Sequence, residues 1–267
     1  MRIALGIEYY GGAFCGWQTQ PSGCAVQDAL ERALAKIAGE KVATVCAGRT
    51  DAGVHALAQV IHLDTGAERP ESAWVRGVNA LLPQGAAVIW VRPVAADFHA
   101  RYSARERRYC YVLLNHPLRP ALNHGRVGWY HQPLDLDKMR IASQHLLGEH
   151  DFSAFRSAEC QAKSPVRELR RLEIRKSGDY VVFELGANAF LHHMVRNIVG
   201  CLVYVGKGKC DPAWTAQLLA GRDRKLAAPT LDAAGLYLAH VSYDVTWGLP
   251  QAARSMWFGI HEVTSRS

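Results

Sequence analysis

Val42-Ala-Thr-Val-Cys-Ala-Gly-Arg-Thr-Asp-Ala-Gly-Val-His-Ala-Leu-Ala-Gln-Val-Ile-His-Leu63 reads as two strands, Val42 to Cys46 and Leu57 to Leu63, around a connection bounded by glycines. Upstream, Ala25 to Ile37 carries Val26, Leu30, Leu34 and Ile37 at helical spacing. Before it, Arg2 to Glu8 alternates in the manner of a strand, which Gly11-Gly12 ends. Downstream, a helix is predicted from about Glu71 to Leu81, followed by a β-branched strand over Ala87 to Val94. The order of this first half is β-α-β-β-α-β.

The second half repeats that order. Arg107 to Leu114 is an aromatic-rich strand, Leu136 to Leu147 a helix, and Leu169–Ile174 with Tyr180–Gly186 a hairpin around Ser177-Gly178-Asp179. A helix over Phe190 to Val205, a shorter one over Pro212 to Leu219 and a strand over Gly235 to Val241 complete it. Two copies of a split βαβ unit predict an α+β protein. Its domains are ferredoxin-like βαββαβ units, residues 1–105 and 106–267. No low-complexity linker separates them, so their mostly antiparallel sheets are expected to join into one extended sheet with helices on the outer face. The stretch after Thr246 carries no motif.

Composition narrows the class. With 49% hydrophobic and 21% charged residues over 267, the chain is an ordinary globular protein and not a disordered one. Its longest membrane-like run, Ile198 to Val205, is about half of a bilayer span. No cleavable apolar leader follows Met1-Arg2, so a cytoplasmic protein is expected. The seven cysteines are odd in number and no pair is closer than nine residues, which predicts reduced, mostly buried thiols and no zinc ribbon. A net charge of +7 suits a polyanionic partner, provided the charge is clustered.

No Gly-x-Ser-x-Gly, His-Glu-x-x-His or Gly-x-Gly-x-x-Gly occurs. Gly200 to Lys207 misses a phosphate loop in its glycine spacing and in the residue after Lys207. Nothing calls for ATP, NAD or a metal. The connection Gly48-Arg-Thr-Asp-Ala-Gly-Val-His55 is different, because it crowds an Arg, a Thr, an Asp and a His between two strands. That suits an active-site loop on a rigid scaffold. It equally suits a turn that Asp51 caps. Arg101, Arg105, Arg107 and Arg108, interleaved with Tyr102, Tyr109 and Tyr111, suit stacked bases and bound phosphates, or a tyrosine core with a solvated arginine face. Arg167, Arg170, Arg171, Arg175 and Lys176, and Arg222, Arg224 and Lys225, are further basic clusters. On the helix after Phe190, His192 and Arg196 share one face, and a buried arginine there needs a carboxylate. His192 and His193 diverge by about 100° on a helix and are poorly placed to share a metal.

Together these segments resemble the tRNA pseudouridine synthases of the TruA family. The resemblance rests on Gly48 to His55, Gly16-Trp17-Gln18, Phe98-His-Ala-Arg101, Arg108-Tyr-Cys-Tyr111, Asp151-Phe-Ser-Ala-Phe-Arg156, Phe190 to Gly200 and Gly235-Leu-Tyr-Leu238. It implies the pseudouridine synthase fold, with the catalytic loop in the first domain and the cleft and RNA surface completed by the second. It implies isomerisation of uridine to pseudouridine at nucleotides 38, 39 and 40 of the tRNA anticodon stem-loop, by a homodimer without cofactor or metal. Asp51 is then the reactive carboxylate, attacking C1′ or removing the 2′-proton. Arg196 is its partner, Tyr109 lies against the uracil, Arg49 helps hold the flipped nucleotide, and Arg101 and Arg108 contact RNA. His55 is read as structural. Two other classes are weighed against the enzyme: a non-catalytic RNA binder, and a metal-dependent nuclease using Asp51 with histidines, which would need a second carboxylate, Asp64 or Glu8, close to Asp51.

Overall fold

A computed structural model describes residues 1–250; residues 251–267, most of the motif-free tail, lie outside the described residues. The first half runs β1 (Arg2–Tyr9), α1 (Val26–Ala38), β2 (Val45–Cys46), β3 (His55–Asp64), α2 (Val78–Leu81) and β4 (Ala86–Val94). A π-wound turn, Ala73–Gly77, leads into α2, so the expected helix over 71–81 is present with one wide turn in it. The second half runs β5 (Ala104–Asn115), β6 (Gly128–Tyr130), α3 (Leu136–Gln144), β7 (Gly148–Asp151), β8 (Val166–Ser177) and β9 (Tyr180–Ala187). It ends with α4 (Met194–Gly206), α5 (Trp214–Gly221) and β10 (Leu236–Tyr243).

The ten strands of the described residues join one sheet in the order β4-β1-β3-β10-β5-β9-β8-β7, with β2 paired to β3 and β6 to β5. The last strand is central. β10 runs parallel to β3, with Tyr237 opposite His55, and antiparallel to β5, so it zips the two halves together. The remaining pairings are antiparallel except β5 with β6. The α+β class and the single extended sheet are therefore as the sequence predicts.

One contiguous core lies under the helices of both halves. It combines Leu5 and Ile7 of β1, Leu30 and Leu34 of α1, Trp74, Met139, and Ile198 and Leu202 of α4. Period-two alternation along β5 sends Tyr109, Tyr111 and Leu113 into this core. Cys110, Val112 and Leu114 go to the reverse face, into a small cluster with Val182, Tyr237 and Val127.

Three local readings are corrected. β2 is two residues long and not five, because Glu31 Oε1 of α1 takes both the Thr44 amide (2.8 Å) and its hydroxyl (2.9 Å). α4 starts at Met194, four residues later than the apolar run, because His193 has left-handed backbone angles. The cysteines are not all thiols, since Cys15 and Cys24 form a disulfide. The Cys15 amide donates to the Cys24 carbonyl (3.1 Å), folding the segment back and bringing the two Cα atoms to 5.5 Å. Of the other five, Cys110 and Cys201 are buried and the rest are half-buried. No helix among the described residues is long and apolar enough to cross a membrane.

Candidate active site

The loop from Ala47 to Val54 is held from every side. The Ala47 amide donates to Val60 of β3 (2.8 Å), and Gln59 Nε2 donates to the Gly48 carbonyl (2.6 Å). The buried Arg107 guanidinium reaches up from β5 and gives the Ala47 carbonyl two hydrogen bonds, 3.3 and 2.9 Å. Its remaining donors go to the carbonyls of Arg101, Ala104 and Asn188. Arg107 is thus a strut and not a surface cation, which the basic-aromatic run did not reveal. Thr50 is buried, with its hydroxyl 2.7 Å from the Tyr9 hydroxyl and its carbonyl accepting from the Trp17 amide (3.0 Å).

Glycines permit two close features here. Gly16 has φ +93 and lies so near the loop that a Cβ would sit 3.1 Å from the Thr50 carbonyl oxygen and the Ala52 nitrogen. Gly53, at φ +81, turns the chain so that the Val54 amide donates to the Asp51 carbonyl (3.1 Å). His55 is structural, as expected. Its Nδ1 accepts from the Gly11 amide (2.9 Å), which leaves Nε2 as the donor to the Ala234 carbonyl (3.0 Å). Its ring is stacked between Tyr10 and Tyr237.

Presented on this frame, the Asp51 carboxylate meets three side-chain nitrogens from one short segment, of which Arg196 makes the hydrogen bond. Arg196 Nη1 lies 3.2 Å from Oδ2, His193 Nε2 3.3 Å from Oδ2, and His192 Nε2 3.0 Å from Oδ1. Arg196 is anchored from behind by Nε donating to the Leu231 carbonyl (2.7 Å), and its side chain is 15% exposed. The carboxylate, 25% exposed, sits at the N-terminal end of α4, where the helix dipole favours negative charge. The buried face of α4, from Met194 to Val205, fixes this segment to the core.

His193 makes the convergence possible. At φ 63 and ψ 1 it turns the chain just before α4, and both adjacent imidazoles then face one carboxylate with ring centroids 4.1 Å apart. A helical backbone would have splayed them, as the sequence reading assumed. Left-handed backbone costs a non-glycine residue about 1–2 kcal/mol. Burial pulls the His193 imidazole below its ordinary value, against the opposing charge of Asp51. Asp51, His192 and His193 together offer three ligand atoms within 4.8 Å of one another. The Arg196 guanidinium on the same carboxylate places a fixed positive charge beside any cation there, so the donor set fits a metal poorly.

Tyr109 lies beside the loop at Gly48. Its ring meets Phe190 edge-on at 5.0 Å, and its hydroxyl lies 3.8 Å from where a Cβ on Gly48 would be. Burial pushes the phenol well above its ordinary range, and the Asp51 charge pushes it further, so it is a protonated donor at neutral pH. Arg49 is exposed beside Asp51. Arg101 is exposed, its guanidinium 5.7 Å from the Tyr102 ring. Arg108 is not brought to the site: it projects from the reverse face of β5 and pairs with Glu106. The β8 arginines are countered along the sheet, Arg170 by Glu168 (2.6 Å) and Arg171 by Glu173 and Glu184 (2.9 and 3.1 Å). A cavity of about 520 Å³ adjoins the loop, bounded by Ala52, Gly53, Arg119, His124, Trp129 and Asp232.

Comparison with known proteins bears directly on this arrangement. The tRNA pseudouridine synthase family pattern matches residues 6–103 and 142–244. A Thiobacillus denitrificans protein named tRNA pseudouridine synthase A is 58% identical over 253 residues, covering 95% of this chain and 97% of the relative. Proteins of the same name are 61% identical in Dechloromonas aromatica, over 94% of this chain and 95% of theirs, and 55% identical in Methylobacillus flagellatus, over 97% and 100%. The matched residues contain Asp51, Tyr109's neighbours in the sheet and the whole His192–Arg196 segment. A chain aligned end to end with such relatives, and carrying the loop and its arginine partner in contact, belongs to the tRNA pseudouridine synthase family.

Proposed function

We propose that this protein isomerises uridine to pseudouridine in tRNA, at nucleotides 38 to 40 of the anticodon stem-loop, with Asp51 as the reactive carboxylate. The observation that carries this reading is the single carboxylate presented by a clamped loop and bonded by Arg196 at 3.2 Å, with the Tyr109 phenol near enough to feel its charge. The reaction breaks the N1–C1′ bond, rotates the base, forms C5–C1′, removes the proton on C5 and places one on N1. Atoms and electrons balance without a redox or phosphoryl step, so no cofactor is called for. The target base leaves its stack at a cost of a few kcal/mol, which stacking at about 1–3 kcal/mol per base helps offset. We further read the protein as a cytoplasmic homodimer of two domains, 1–105 and 106–267, sharing one sheet.

Tritium release from tRNA carrying [5-³H]uridine tests the reaction, because forming C5–C1′ expels that label. Release is expected without added metal or nucleotide. Binding of tRNA with no release would leave a non-catalytic RNA binder in front. The nuclease reading has lost a partner carboxylate: Asp64 lies at the far end of β3, about 30 Å along the strand from the loop, tied to Arg2 at 2.7 Å.

Tyr109 is assigned a relay at C5, with its ring against the uracil: its protonated phenol passes its own proton toward N1 as it takes the one on C5, so it ends neutral as it began. Tyr109→Phe keeps the ring and removes only the hydroxyl. A fall of about 10²-fold in kcat with little change in KM is expected. Unchanged kcat would reduce Tyr109 to a stacking platform.

RNA contacts are assigned to Arg49 and Arg101, which are exposed on or near the loop, and not to the β8 arginines. Arg49→Ala and Arg101→Ala are each expected to flatten the dependence of log K on log salt by about 0.7–0.9. Arg170→Ala, already paired with Glu168, is expected to leave it unchanged. Equal slopes for all three variants would mean that the basic surface binds as a diffuse field.

A further inference from the structure

We propose that His193 is a positioning residue, whose imidazole limits the rotation of the Asp51 carboxylate by packing Nε2 against Oδ2. The inference rests on the reading of Asp51 as the reactive group. A carboxylate on a short side chain can turn about its last bond, and one hydrogen bond does not fix that turn. Arg196 Nη1 donates to Oδ2 at 3.2 Å, whereas the His193 ring closes on the same oxygen from the chain just before the helix, with Nε2 at 3.3 Å. With the His192 ring against Oδ1 at 3.0 Å and the His193 ring against Oδ2, the two imidazoles bracket the carboxylate plane that the single Arg196 hydrogen bond leaves free to turn.

The backbone gives the second, independent reason. Only His193 and Arg222 are non-glycine residues with positive φ among the described residues, and Arg222 merely ends α5. Strain of this kind persists where the surrounding structure enforces it, and it clusters at functional sites. Glycine would satisfy the same backbone at position 193 with no strain. A histidine there is explained by what its side chain does, and its ring is placed on Asp51. The groups facing this ring are Asp51, His192, Arg196 and, at longer range, Glu159. Arg196 already supplies the cation and the hydrogen bond, and the His193 ring adds a fixed boundary to the turn of the carboxylate.

The test separates backbone from side chain. His193→Gly relieves the strained backbone and deletes the imidazole, so the melting temperature is expected to hold or rise and tRNA affinity to stay within about threefold. The single-turnover rate of tritium release is expected to fall by about 10²-fold, the loss typical of a small misplacement of a reacting group. Free imidazole at tens of millimolar is then expected to restore at least tenfold, which no purely structural role would allow. A His193→Gly rate within threefold of wild type, or a loss that imidazole does not recover, overturns the inference. If the wild type itself releases no tritium, the assigned reaction fails. If the wild type and His193→Gly release it equally, only the role of His193 fails.

Discussion

Asp51→Asn and Asp51→Ala are expected to abolish tritium release, to below a few per cent of wild type, while tRNA binding stays within a few fold. The reasoning starts from charge. Asp51 is the acidic group of its cluster, and the nitrogens around it belong to Arg196, which donates to it, and to His192 and His193. Without the carboxylate there is no group on the loop to attack C1′ or to take the 2′-proton. Binding should not suffer in parallel, because a negative charge at the mouth of a polyanion site repels the substrate. The loop should also keep its shape, since it is held by Arg107, Gln59, Trp17 and Tyr9 and not by the Asp51 side chain. The Asn variant tests this most cleanly: it keeps the volume and one acceptor and removes only the charge and the nucleophilic oxygen. Residual turnover above a few per cent would move the reactive role to another residue. A collapse of tRNA affinity in both variants would mean that Asp51 organises the cleft, and rate measurements would then say little about chemistry.

Much of this arrangement is legible in the sequence because local periodicity encodes it. The apolar stripe Val26, Leu30, Leu34 and the short apolar, turn-bounded runs of β1, β3 and β5 mark helix and strand whatever they pack against. β6 and β7, of three and four residues, are too short to show a period and were missed. The central place of β10 is not a local property either. It depends on Tyr237 and Leu238 lying opposite His55 and Ala56, residues about 180 positions earlier. At the site, the Arg196–Asp51 pair was foreseeable as an arginine on an apolar helix needing an acid. The two histidines were not, because the helical spacing that parts them fails at His193, whose left-handed angles leave no trace in its neighbours. Histidine is among the non-glycine residues enriched in that region, which is the one signal available. The Cys15–Cys24 disulfide was hidden for a similar reason: a backbone hydrogen bond, and not residue spacing, brings the two together.

Arg196 divides charge from geometry in a way that two substitutions can read. Arg196→Lys keeps the positive charge but has no second nitrogen to hold the Leu231 carbonyl while reaching Asp51. Arg196→Met keeps the apolar stem that packs in α4 and removes the charge altogether. Loss of one preorganised electrostatic partner typically lowers kcat by about 10²–10³-fold, which is the expectation for Met. Lys is expected to fall between Met and wild type, by about tenfold or more. A Lys variant equal to wild type would show that charge alone suffices and that the anchor on Leu231 is incidental. Stability supplies the second axis. Removing Arg196 leaves a part-buried carboxylate without its cation, and removing Asp51 leaves the part-buried cation without its anion, so each single variant is expected to unfold at lower temperature than wild type. Asp51→Asn combined with Arg196→Met leaves neither charge unpaired. The double variant is expected to be more stable than the sum of the single losses predicts, by an amount that measures their coupling. Strict additivity would mean that the 3.2 Å contact contributes nothing to the fold, and that Arg196 must be understood through the bound RNA instead.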